Sequence, residues 1–95
     1  MFEKELNTVE VDELFSVISK LKTTEESRKF FRDLCTLSEI KGMAERLQVA
    51  KRIKKEESYR NISKSTGAST ATVTRVAHWF HHGMGGYRLA LDRLK

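Results

Sequence analysis

The chain has 95 residues, with 18 Lys and Arg against 13 Asp and Glu, giving a net charge of +5 at neutral pH. That length fits one domain over residues 1–95, and a chain this short buries only about 60–65% of its unfolded surface, so pairing with a second copy is expected. Charged residues at 33% and apolar residues at 39% exclude a disordered chain, and no apolar run exceeds four residues, which excludes a transmembrane helix.

Helical periodicity runs through most of the sequence and strand alternation is almost absent. Val11, Leu14, Phe15, Ile18 and Leu21 predict a first helix near 9–21. Thr23 with Glu26 forms a capping-box pattern before Phe30, Phe31 and Leu34, predicting a second helix near 24–35. Ser38 is placed to cap a third, long helix to about Lys55, with the stripe Ile40, Met43, Ala44, Leu47, Ala50 and Ile53. Its tail carries Lys51, Arg52, Lys54 and Lys55, cations at the negative end of the helix dipole. Glu56 and Glu57 mark a break. Ser58 caps a short helix to Thr66, and Ser69 another to about His81. Gly83, Gly85 and Gly86 make a joint, and Tyr87, Ala90, Leu91 and Leu94 share one face of a last helix. No repeat or low-complexity stretch occurs. The absence of proline permits long helices.

Charge is unevenly distributed. Residues 1–27 hold seven acids and three bases, for −4, while residues 28–95 hold six acids and fifteen bases, for +9. A basic segment of that strength suits a polyanion, because Lys or Arg beside a phosphate releases a condensed counterion. RNA, DNA and anionic lipid all satisfy this argument.

Residues 58–79, SYRNISKSTGASTATVTRVAHW, narrow the choice. Two short helices joined by a three- or four-residue turn containing Gly form a helix-turn-helix, here within 58–81. Gly67 stands where the first helix must end in a left-handed turn. Ile62, Val73 and Val76 face inward, and Ser63 is small enough for close helix contact. Thr70, Thr72, Thr74 and Arg75 give the second helix a polar, mostly uncharged outer face able to enter a groove. An ordinary helical hairpin with a Ser/Thr-rich loop is the plainer alternative.

From about residue 30 onward the chain resembles the Trp-repressor superfamily, and within it the small YerC/YecD-type proteins. STGASTATVTR, residues 65–75, carries the strongest resemblance, which extends upstream through TLSEI at 36–40 and Arg46 and is weakest over residues 1–25. The resemblance implies an all-α fold of six helices and an intertwined homodimer. The first three helices and the last would interlock between subunits, leaving two helix-turn-helix heads free for an operator in double-stranded DNA. It implies DNA contacts by Arg60, Ser63, Lys64, Ser69, Thr70, Ala71 and Thr74. For Arg60 the chemistry agrees independently, since a guanidinium pairs well with guanine.

It also implies a candidate effector pocket. Thr36, Arg46 and Arg75 match the threonine and two arginines that hold the corepressor in the Trp repressor. Val76 and Trp79 depart from that pattern, which has small residues at both positions. The expectation is therefore a regulator that does not respond to tryptophan, with any other small-molecule effector unknown.

Other features carry less. His78, His81 and His82 have metal-compatible helical spacing but no nearby Cys or carboxylate to complete a set, so they read as cations at a helix C-terminus. Cys35 reads as a small apolar residue. No paired carboxylates, activated nucleophile or phosphate-cradling loop is present, so neither an enzyme nor a cofactor is expected. Residues 1–20 lack a signal-peptide core, and a cytoplasmic location without membrane contact is expected. The reading is a sequence-specific DNA-binding regulator, a repressor in its simplest form. A helical protein-interaction module and non-specific nucleic-acid binding are the alternatives.

Overall fold

The computed structural model describes residues 3–94. Among them the regular structure is entirely helical: a short 3-10 turn at Lys4–Leu6, then α1 Val9–Ser19, α2 Thr24–Leu34, α3 Leu37–Lys54, α4 Tyr59–Thr66, α5 Thr70–His82 and α6 Gly86–Arg93. The chain divides into two compact units, one ending at Leu37 and one beginning at Ser38.

In the first unit, hydroxyl caps start both helices. Thr8 Oγ1 accepts from the Val11 N–H at 3.1 Å and Thr23 Oγ1 from the Glu26 N–H at 3.0 Å. Glu26 reaches back, as a capping box requires, but its carboxylate accepts from the Lys22 N–H rather than from Thr23. The first helix stops at Ser19, short of the expected 21. Neither α1 nor α2 contains a buried residue, and Phe15 and Leu34 are 55% and 52% exposed.

The second unit holds the core. Val49, Ala50 and Ile53 of α3 join Ile62, Ala68, Val73, Val76, Ala77, Phe80 and Leu91, with Leu47 and Tyr87 packed partly against them. Burial of aliphatic side chains of this size contributes roughly 1.5–3 kcal/mol each. The expected α3 stripe is therefore corrected at two positions: Val49 is fully buried and Ala44 is exposed. Val49 and Ile53 are one turn apart, so the buried face turns toward the side of α3 that carries them. Ser38 does not cap α3. The helix begins at Leu37, leaving Thr36 at the preceding position.

α3 ends in a double backbone closure. The Glu57 N–H donates to the Arg52 carbonyl at 3.2 Å and the Glu56 N–H to the Ile53 carbonyl at 2.9 Å. This pairing requires a left-handed residue just past the helix, and Glu56 supplies it at φ 62°. Glu57 then bridges to the next helix, accepting from Arg52 Nη1 at 3.0 Å and Asn61 Nδ2 at 2.8 Å. Farther on, Lys54 Nζ donates to Asp92 Oδ1 at 2.6 Å, joining α3 to α6. That hydrogen bond, and then the Lys54 charge, hold the Asp92 carboxyl below the ordinary carboxylate range. The contact is complete at neutral pH and is lost only as pH falls through that lowered value.

A left-handed conformation costs a residue with a Cβ roughly 1–2 kcal/mol, offset partly by the greater unfolded-state freedom of glycine. Glu56→Gly is therefore expected to stabilise the protein by about 0.5–1 kcal/mol and raise Tm by a few degrees. Denaturant and thermal unfolding at fixed protein concentration check this. An unchanged or lower midpoint contradicts it.

Candidate nucleic-acid interface

α4 and α5 are joined by only Gly67, Ala68 and Ser69. Ser58 Oγ caps α4 by accepting from the Asn61 N–H at 3.1 Å, and Ser69 Oγ caps α5 by accepting from the Thr72 N–H at 3.1 Å. Gly67 ends α4 at φ 79°, and its N–H donates to the Ser63 carbonyl. Two hydroxyls fix the corner: Ser63 Oγ donates to the Ala68 carbonyl at 2.6 Å, and Thr66 Oγ1 donates to the Ile62 carbonyl at 2.7 Å while accepting from the Ala68 N–H. Ala68 is buried beneath them. Two helices thus meet across a three-residue turn closed by glycine and hydroxyl contacts.

The core contacts fix which way α5 faces. Val73, Val76, Ala77 and Phe80 point inward. At 100° per residue, Ala71, Arg75 and His78 then fall on the opposite side, with Thr74 and Thr70 on its flank, making one strip. All five are exposed, and together they line one shallow, open surface groove. On α4, Arg60 and Lys64 lie one turn apart, both exposed. The expected contact residues Arg60, Lys64, Thr70, Ala71 and Thr74 are thus all available at the surface. Ser63 and Ser69 are committed differently: Ser63 is half-buried, and both hydroxyls are spent on the turn and cap. His78 was not among the expected contacts. Its spacing of four from Thr74 and seven from Ala71 is the signal that places it on the strip.

Of the residues expected to hold an effector, Arg46 and Trp79 share one groove and Arg75 lines another. Arg46 and Trp79 line a groove with Met43, Leu47, Gly83 and Tyr87, and Trp79 is 53% exposed. The chain must be glycine at 83, because a Cβ there would collide with the Trp79 carbonyl. Val76 lies in the core and Arg75 lines the α5 strip instead. Thr36 belongs to the first unit.

His82 lies in ring contact with both other histidines, its centroid 6.3 Å from that of His81. His78 and His82 have ring centroids 5.3 Å apart, while His81 packs edge-on against Phe80. Among the described residues no group of three or more His, Cys, Asp and Glu side chains is placed to hold a metal ion, and no helix is long and apolar enough to cross a membrane.

Comparison with known proteins agrees with this architecture. The family model of the Trp repressor protein matches residues 9–95. The YerC protein of Bacillus subtilis strain 168 is 46% identical over 86 residues, covering 90% of this chain and 83% of that protein. A TrpR-like protein of Eubacterium eligens ATCC 27750 superposes with a TM-score of 0.91 at 38% identity, over 96% of this chain and 94% of its own. A candidate Trp repressor of Staphylococcus aureus gives 0.90 at 44% identity, over 98% and 93%. The fold is all-α and Trp-repressor-like, and the chain belongs to the Trp repressor family as a YerC-type member.

Proposed function

We propose that the protein is a sequence-specific DNA-binding transcriptional regulator, a repressor, acting as a helix-turn-helix homodimer. The observation that carries this reading is the exposed strip of α5, short and polar and mostly uncharged, held out by a hydroxyl-pinned turn within the strongly basic part of the chain. Short side chains let a helix seat in the major groove, and Thr and Ala supply hydrogen bonds and methyl contacts to base edges. Arg60 and Lys64 add cationic reach from α4. The membership in the Trp repressor family supports the same class of activity.

A homodimer is supported by the unburied apolar faces of α1 and α2 and by exposed Leu89 and Leu94 at the end of the chain. Apolar surface of that extent is normally covered. Light scattering at micromolar concentration is expected to give twice the 11.0 kDa chain mass. A monomer overturns this part of the reading.

The protein-docking alternative needs exposed aromatic anchors. Phe80 is buried beneath the Arg88 guanidinium, 4.4 Å from its ring centre, leaving Trp79 as the exposed aromatic on α5. Selection of random duplexes by the purified protein decides between the readings. A recovered consensus with two half-sites is expected, and an unenriched pool contradicts sequence-specific binding. On the selected duplex, Arg60→Ala and Thr74→Ala are each expected to cost about 1–3 kcal/mol at particular base pairs. Lys64→Ala should weaken binding to all duplexes alike and lower the salt dependence.

Tryptophan is not expected to be the effector. An indole ligand needs a slot lined by cations for its carboxylate, and here Trp79 itself occupies the wall of the Arg46 groove while Arg75 is not in that groove. Val76 is buried in the core and lines neither groove, so it offers such a ligand no wall. Calorimetry with millimolar L-tryptophan is expected to show no saturable heat and no change in operator affinity. A saturable signal abolished by Arg46→Ala contradicts the assignment.

A further inference from the structure

We propose that Arg75 is a base-reading residue: its guanidinium recognises a guanine in each operator half-site from the flank of the α5 strip. The inference rests on the DNA-binding reading and deepens it, by naming the residue that sets the strongest base preference from the recognition helix.

Three observations carry it. First, between Thr70 and His82 Arg75 is the sole Lys, Arg, Asp or Glu, so the helix has one formal charge to place. That charge lies on the outward strip with Thr70, Ala71, Thr74 and His78, away from the groove of Arg46 and Trp79. Second, the guanidinium makes no hydrogen bond or ion pair among the described residues. Its five N–H donors are therefore unspent. A residue that served only to pin α5 would be tied to an acid or to a helix C-terminus, as Arg52 is tied to Glu57. Third, its neighbours on the strip have short side chains. Thr70, Ala71 and Thr74 allow the helix backbone to approach the floor of a groove about 8.5 Å deep. An arginine at the flank of such a strip spans the remaining distance and offers a planar fork matched to the O6 and N7 acceptors of guanine. The threonine and alanine methyls are suited to the C5-methyl of thymine beside it.

The opposite assignment, a phosphate contact, uses the same charge but makes a different demand. A phosphate accepts any cation and reads no sequence. The lysine variant separates the two, because lysine keeps the charge and loses the bidentate fork.

The test uses the full chain in three forms: the parent, Arg75→Ala and Arg75→Lys. Each is presented with a random duplex library, and the base preference at every position is then measured with single-site operator variants. Circular dichroism and thermal unfolding confirm that the exposed substitutions leave the fold intact. The expected result is a parent consensus with a G·C pair in each half-site. Discrimination there falls about 5- to 150-fold in both variants, while the other positions keep their preferences. A uniform loss across all sequences in Arg75→Ala, restored by Arg75→Lys, overturns the proposal in favour of a phosphate contact. An unchanged base preference in both variants overturns it as well. In either case the parent's consensus stands and the DNA-binding reading survives. A parent that selects no sequence overturns that reading and the proposal together.

Discussion

Gly67 turns the chain through a left-handed conformation at φ 79°, and two hydroxyls lock the corner that follows: Ser63 on the Ala68 carbonyl and Thr66 on the Ile62 carbonyl and the Ala68 N–H. The rotation of α5 depends on this corner. With three residues between the helices, the chain has little freedom to roll α5 about its axis once Ala68 is buried. Val73, Val76 and Phe80 then complete the core with Val49, Ile53 and Ile62, and the remaining face of α5 must be the outer one. The polar strip is thus set by packing on the opposite side of the same helix.

The corner also explains why hydroxyl residues dominate this stretch without all serving one purpose. Ser58 and Ser69 satisfy N–H groups that begin their helices, and Ser63 and Thr66 satisfy groups in the turn. Thr70 and Thr74 remain outward. An N-cap hydroxyl contributes about 0.5–2 kcal/mol and a half-buried backbone group left without a partner costs about 1–3 kcal/mol, so the first four hydroxyls act on the scaffold. The last two are free to meet a ligand.

Two arginines that a resemblance to the Trp repressor would pair around one ligand are given different surroundings. Arg46 is half-buried on α3 and shares a groove with the Trp79 indole, whereas Arg75 stands exposed on the strip with Thr74 and His78. The physical cause is helical phase: with Val73, Val76, Ala77 and Phe80 buried, position 75 falls on the outward side of α5. Val76 is anchored in the core, and Trp79, four residues after Arg75, covers the groove wall that a small hydroxyl residue would leave open. The cation at 75 is thereby left on the side where nucleic acid is proposed to lie.

Local chemistry is written in the sequence and was legible there. Helix periodicity, the Thr23, Ser58 and Ser69 caps, the glycine at 67 and the acid pair at 56 and 57 depend on neighbours within four or five residues, so spacing alone reveals them. The inward set Ile62, Val73 and Val76 followed from the same periodicity, and with it most of the outward set. What spacing could not decide was which part of a broad apolar face would be covered. Val49 is buried and Ala44 exposed because helices distant in sequence pack on one side of α3, and no local pattern encodes that choice. Ser63 looked like a contact residue because a hydroxyl on a helix surface suits either a base or a backbone carbonyl, and only the folded turn brought Ala68 within 2.6 Å of it. Arg75 was likewise ambiguous: helical phase put it near both Thr74 and Trp79. The packing of Val76 into the core settled its side, since a helix can bury one face only by presenting the other.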